Sequence, residues 1–274
     1  MKHRMGAEGI IAMRVIIIGF LVAGWVWAAE EWQRPPGWTA TKGGEGGLVI
    51  EVTTLNPTGP GSLTEALGAK GARTIVFRVG GTIDLAGRRL KISNPNLTIA
   101  GETAPSPGIT LIKGGLSISA DDVIVRHLRV RPGENGKAKK SGWEADAITT
   151  NATADVIVDH CSITWATDEN LSSSGPRHEG ATPDEWRENT SHRITFSHCI
   201  IGEGLKESTH KKGTHSMGSL IHDNVSDVLV YGNLYISNND RNPLFKGGAR
   251  GAGVNNLVHH PGLYAFTFSL SKKE

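Results

Sequence analysis

Asp168 and Glu169 stand side by side in Trp165-Ala166-Thr167-Asp168-Glu169-Asn170. Two carboxylates can serve a glycosidase as acid and base. Against that, successive residues of a strand point to opposite faces. Eleven histidines offer possible metal ligands. His210 and His215 lie five apart beside Lys211-Lys212, and His259-His260 are adjacent. Neither group has a zinc spacing with a third ligand. Two cysteines, Cys161 and Cys199, are too few for a disulfide framework. Lys139-Lys140 and Lys211-Lys212 are isolated pairs, not the basic stripe of a nucleic-acid binder. With 20% charged residues and a net charge of +2, the chain is no acidic or basic disordered tail. Its 38% hydrophobic residues and 35 glycines suit a globular chain.

The elements that must hold these residues repeat. Residues 48–260 contain many short β-branched runs, each closed by Gly, Asn, Asp or Pro. Leu97-Thr98-Ile99-Ala100, Val123-Ile124-Val125-Arg126, Val156-Ile157-Val158-Asp159, Ile194-Thr195-Phe196-Ser197 and Val228-Leu229-Val230-Tyr231 align with one another. Equivalent positions Glu102, Leu128, Cys161, Cys199 and Asn233 are 26, 33, 38 and 34 residues apart. A period of 20 to 50 residues means a solenoid, propeller or array. Each repeat has too few strands for a propeller blade and lacks a leucine ladder. One or two short strands, a turn and a loop of variable length fit the coil of a parallel β-helix. The fold is therefore all-β.

Stacking coils places Cys161 above Cys199 within bonding range, but parallel inward side chains make poor disulfide geometry. Two buried thiols are the expected state, with a bridge left open by export. His160 and His198 should form a ladder, and Asp121, Asp122, Asp155 and Asp227 should serve coil corners. Pro60–Leu67 reads as a capping helix, with Ser62 and Glu65 at capping-box spacing. No segment reads as a cover for the far end, so the β-helix is expected to be truncated there or covered by a partner. Residues 132–145 and 172–192 read as polar loops rimming a groove. At the start, Met13-Arg14, the apolar run Val15–Trp27 and Ala28 describe a secretory signal over residues 1–28. The rest, residues 29–274, is one domain, exported to the extracellular space or periplasm. A membrane-anchoring first helix is the alternative.

Several segments, taken in order, resemble the pectate lyase family of right-handed parallel β-helices (polysaccharide lyase family one). They are Gly43-Gly44-Glu45-Gly46-Gly47 with Val49–Leu55, then Gly59–Leu67, Thr74–Ile83 and Leu97–Pro105. Asp146-Ala147-Ile148, Val158-Asp159-His160-Cys161-Ser162 and Arg241-Asn242-Pro243-Leu244-Phe245-Lys246 follow. The resemblance covers residues 38–262.

It implies calcium-assisted β-elimination in polygalacturonate by a monomer that binds neither nucleic acid nor membrane. Ca²⁺ takes hard oxygen ligands, and the resemblance offers Asp146, Asp168 and Glu169 for it. The family's usual carboxylate four residues before the later ligand is missing; Thr164 and Trp165 stand there. Arg241 is the implied catalytic base, although arginine is normally protonated; stabilising charge on the uronate is its more conservative role. Lys206 matches the family's substrate-binding lysine, and Lys246 replaces a second arginine in substrate binding. The plain alternatives are Asp168 and Glu169 capping a turn, Arg241 paired with Asp240 or another surface acid, and a solvated Lys206. Two rival functions remain: a pectin-degrading hydrolase on the same architecture, and a non-catalytic polysaccharide-binding solenoid.

Overall fold

After a first turn that supplies one strand and a helix, each turn of the chain contributes one strand to each of three parallel sheets. The computed structural model describes residues 32–270; the signal expected over residues 1–28 lies outside them. The first sheet stacks eight strands: Leu48–Val52, Arg73–Phe77, Leu97–Ala100, Val123–Arg126, Ala154–Asp159, His192–Ser197, Ser226–Tyr231 and Gly251–Val254. The second has seven strands, from Gly81–Asp84 to Leu257–His259. The third also has seven, from Leu90–Ile92 to Thr267–Ser269, and passes through Ile148–Asn151, Glu169–Ser174, Met217–Ile221 and Leu244–Lys246. This is a right-handed parallel β-helix. Among the described residues no helix is long and apolar enough to cross a membrane.

The register repeats the spacing of the sequence. Leu97 pairs with Val123, Val123 with Val156, Val156 with Ile194 and Ile194 with Val228. Two residues on, Ile75, Ile99, Val125, Val158, Phe196 and Val230 form a second inward row, all fully buried. Each such side chain contributes about 1.5–3 kcal/mol of transfer free energy. Coils have three strands, not one or two. Many strands of the second and third sheets are three residues long, too short for a readable alternation, and single left-handed residues separate some from the first sheet. His127, His160 and His198 take φ near +50° at one corner, and Asn96, Asp122, Asp155, Arg193 and Asp227 take φ of 53–57° at another. Asn and Asp tolerate that region best among residues with a Cβ.

The ladders follow from this stacking. The rings of His127, His160 and His198 lie 4.9 and 4.8 Å apart, centre to centre. Buried Asp159 faces His160 Nδ1 at 2.7 Å and His198 Nδ1 at 2.9 Å, and accepts from Ser197 Oγ at 2.6 Å. Cys161 and Cys199 are free and buried. The Cys161 N–H donates to Cys199 Sγ at 3.4 Å, and burial pushes the Cys199 thiol's pKa well up.

The helix Leu63–Gly68 turns Leu63, Ala66 and Leu67 onto the first coil. Ser62 accepts from the Glu65 N–H, as its spacing predicts, but Glu65 reaches back one residue further, to the Gly61 N–H. Buried Arg73 donates to the carbonyls of Leu67, Gly71, Asn94 and Pro95 beneath this cap.

A second device runs along the outside of the first sheet. The Gly44 N–H donates to Thr98 Oγ1, and the Ala40 N–H donates to Asp155 Oδ1. A Cβ at Gly43, where φ is +54°, would stand 2.4 Å from Thr98 Oγ1, and one at Gly37 would meet Thr195 and Leu229. Residues 37–47 thus form a strap that touches several successive coils.

Candidate active site

Three insertions leave the coils beside the third sheet: residues 132–147, 175–191 and 203–216. The second begins later than its composition suggests, because Ser172, Ser173 and Ser174 belong to a strand. It carries the helix Pro183–Glu188, closed by a Thr182–Glu185 capping box. The first and third insertions bind each other. Lys140 N–H donates to Ser208 O, Gly142 N–H to Thr209 O, and Thr209 Oγ1 to Trp143 O.

Between the insertions and the outer face of the third sheet lies a cleft of about 440 Å³. Asp146, Asp168, Glu169, Arg241 and Lys246 all line it. Lys206 does not line it; this lysine is exposed on the 203–216 insertion. Asp146 precedes the strand Ile148–Asn151, Glu169 opens the next strand of the same sheet, and Asp168 stands just before it. Stacking therefore brings them together across a coil. Asp168 and Glu169 were expected on opposite faces, yet both face the cleft. Asp168 precedes the strand and does not obey its alternation.

One carboxylate oxygen from each of Asp146, Asp168 and Glu169 lies within 4.8 Å of the others. Burial and the neighbouring Asp168 charge push the Asp146 carboxyl up to about 7. The Glu169 N–H donates to Asp146 Oδ1 at 3.1 Å, and Ser172 Oγ reaches Asp146 Oδ2 at 3.5 Å. Such a set of hard carboxylate oxygens fits a hard divalent cation such as Ca²⁺. Arg241 reaches into the cleft from the segment before Leu244–Lys246 and pairs through its side chain with Glu169, not with Asp240. Burial lowers its pKa against the opposing pull of Asp168 and Asp146.

Several residues at the site were missed by sequence reasoning. His215 Nε2 lies 2.7 Å from Asp168 Oδ1, and His210 stacks on His215 with ring centres 3.8 Å apart. Burial works to raise the Asp168 pKa, but the His215 hydrogen bond and charge hold it below its usual value. The Lys212 N–H donates to His210 Nδ1, so the neutral ring carries its proton on Nε2. That nitrogen faces Asp168 and Glu144, each at 3.6 Å. The pair is therefore built to donate to carboxylates rather than to ligate a metal. A test for zinc spacing could not find it; two histidines flanking a Lys-Lys-Gly turn were the available signal. Arg177 and His222 also line the cleft. Arg177 lies in a polar insertion and His222 just follows the strand Met217–Ile221, and neither had a repeating partner to mark it.

Residues 80–273 match the family model described as pectate lyase. Probable pectate lyase C of Aspergillus terreus is 40% identical over 206 residues, covering 75% of this chain and 42% of the relative. Probable pectate lyase C of Emericella nidulans is 38% identical over 221 residues, covering 80% and 45%. The chain thus spans less than half the length of these curated relatives. Among solved structures, an alginate lyase from Paenibacillus sp. str. FPU-7 superposes with a TM-score of 0.51 at 12% identity, covering 80% of this chain and 73% of that one. That likeness concerns the fold alone, in keeping with the three-sheet coil. The family match spans most of the chain and takes in the carboxylate cluster, Arg241 and Lys246: this chain belongs to the pectate lyase family.

Proposed function

We propose that this protein cleaves polygalacturonate by β-elimination with the help of Ca²⁺, and that the chain is exported. The observation that carries the reading is the meeting, in one cleft, of three carboxylates from two coils with an arginine from a third. Asp146, Asp168 and Glu169 would hold the cation. Bound there, it would neutralise the uronate carboxylate and make the neighbouring C-5 proton more acidic.

The rest belongs to the chain's own side chains. Arg241, in its neutral form, takes the C-5 proton, and the lowering of its pKa by burial favours that form. The electron pair of the C-5–H bond becomes the C-4–C-5 double bond, and the C-4–oxygen bond breaks. The leaving oxygen takes a proton from solvent, to which Arg241 returns the one it removed, so no water is consumed overall. Glu169 holds Arg241 in the cleft through their ion pair. Lys246 and the exposed Lys206 bind substrate carboxylates as point charges.

Purified protein with polygalacturonate and Ca²⁺ should release an ultraviolet-absorbing 4,5-unsaturated uronide. New reducing ends without that absorbance would instead identify a hydrolase. Saturable binding without product would identify a binding solenoid.

A further inference from the structure

The cleft has two ends of opposite character. Glu169 opens its strand at the acidic end. Ser174 lies five residues, about 16 Å, further along the same strand at about 3.3 Å per residue. Between them the floor carries the outward row Thr149, Ser172, Leu220 and Leu244, which pair in register. Hydroxyls beside small apolar surfaces suit a sugar ring. The far end is cationic. Lys246 Nζ lies 3.5 Å from Asp223 Oδ2, and Arg177 Nε lies 4.0 Å from the same oxygen. His222 also contacts Asp223. Two permanent cations therefore share one carboxylate. Burial first, and then Arg177 and Lys246, depress the His222 pKa to about 4 against the pull of Asp223, so His222 adds no charge at neutral pH. The Arg177 side chain is half exposed, 50%, and is open to the cleft.

We infer that Arg177, together with Lys246, forms a second carboxylate-binding station in the cleft, which grips the free carboxylate of a galacturonate unit distant from the scissile bond. This rests on the polygalacturonate reading. Arg177 supplies the forked, bidentate donor that Lys246 lacks. It thereby sets a preference for unesterified galacturonate at that unit, because a methyl ester removes the charge that the surplus cation attracts.

The test compares the full chain with Arg177→Ala, Arg177→Lys and Asp223→Asn, using polygalacturonate and highly methyl-esterified pectin in the presence of Ca²⁺. Arg177→Ala should raise KM for polygalacturonate about tenfold, the cost of about one charged contact, with kcat within about twofold. Its KM for esterified pectin should barely change, so discrimination between the two polymers falls. Arg177→Lys should lie in between. Asp223→Asn should lower KM for polygalacturonate, because it frees both cations for substrate. Calorimetric binding of polygalacturonate fragments to Arg241→Ala, with and without Arg177→Ala, should show the same loss without turnover. Unchanged binding in Arg177→Ala would overturn the inference. So would a rise in KM in Asp223→Asn as large as that in Arg177→Ala, since Arg177 would then only prop Asp223. If the unaltered protein neither binds nor cleaves polygalacturonate, the functional reading itself falls and takes this inference with it.

Discussion

Two carboxylate–histidine clusters in this molecule use the same residue types to different ends. Asp159, His160 and His198 sit at a regular corner of the coils; Asp168, His210 and His215 sit where an insertion folds back onto the cleft. In the first, each histidine occupies the same left-handed position one coil apart, and the rings stack at the spacing of the strands. The buried Asp159 finishes a ladder. In the second, the two rings come from one loop and stack at 3.8 Å, closer than the coil repeat allows. Their carboxylate faces two more acids, Glu169 beside it in the chain and Asp146 across the sheet. Periodicity makes the first cluster a fastening, and departure from periodicity makes the second a tool.

The comparison breaks most visibly at Arg241. Arg241→Ala should lower turnover on polygalacturonate by about 10³-fold or more, within the range of a lost proton-transfer group, with an unchanged melting temperature in calorimetry. A parallel loss of folding would place Arg241 with the fastenings. Removing Ca²⁺ with a chelator should abolish turnover, and adding it back should restore it. The pH dependence has a defined sign. Asp146 is pushed up to about 7, so below about pH 7 a proton competes with the cation. Ca²⁺ affinity, followed by titration calorimetry, should rise as pH increases through 7 and level off above it. An affinity that stays flat from pH 6 to 8 would take Asp146 out of the ligand set.

A smaller effect is expected at His215. His215→Ala removes the hydrogen bond that orients Asp168, and should weaken Ca²⁺ binding about 10- to 100-fold with little change in melting temperature. The smallest catalytic effect belongs to the ladder. Asp159→Asn should leave turnover per folded molecule unchanged while costing about 1.5–3 kcal/mol in denaturant unfolding, the worth of a buried charged hydrogen bond. Equal losses of activity at Asp159 and His215 would erase the distinction between the two clusters.

What the sequence revealed follows the same division. The five aligned β-branched runs give the register of the first sheet residue by residue, because equivalent residues must lie above one another in a stacked coil. The third strand of each coil stayed hidden, because three residues between bends cannot show alternation. At the site, Asp146, Asp168, Glu169, Arg241 and Lys246 could be named because the segments that carry them resemble motifs of the pectate lyase family. Residues borne on insertions or at strand ends, namely His210, His215, Arg177 and His222, have no counterpart one turn away. Their roles depend on how loops of unequal length close on one another, and no local pattern encodes that closure. Lys206 was named by a matching motif alone, and its side chain is exposed on the 203–216 insertion.

The strap along the first sheet has a consequence for how the molecule comes apart. A stack of coils coupled only to their neighbours can fray from either end, one coil at a time. Residues 37–47 touch Thr98, Asp155, Thr195 and Leu229, which belong to four different coils. Like a splint bound across a column of vertebrae, the strap makes distant coils share one fate, so heat or pulling should release them together.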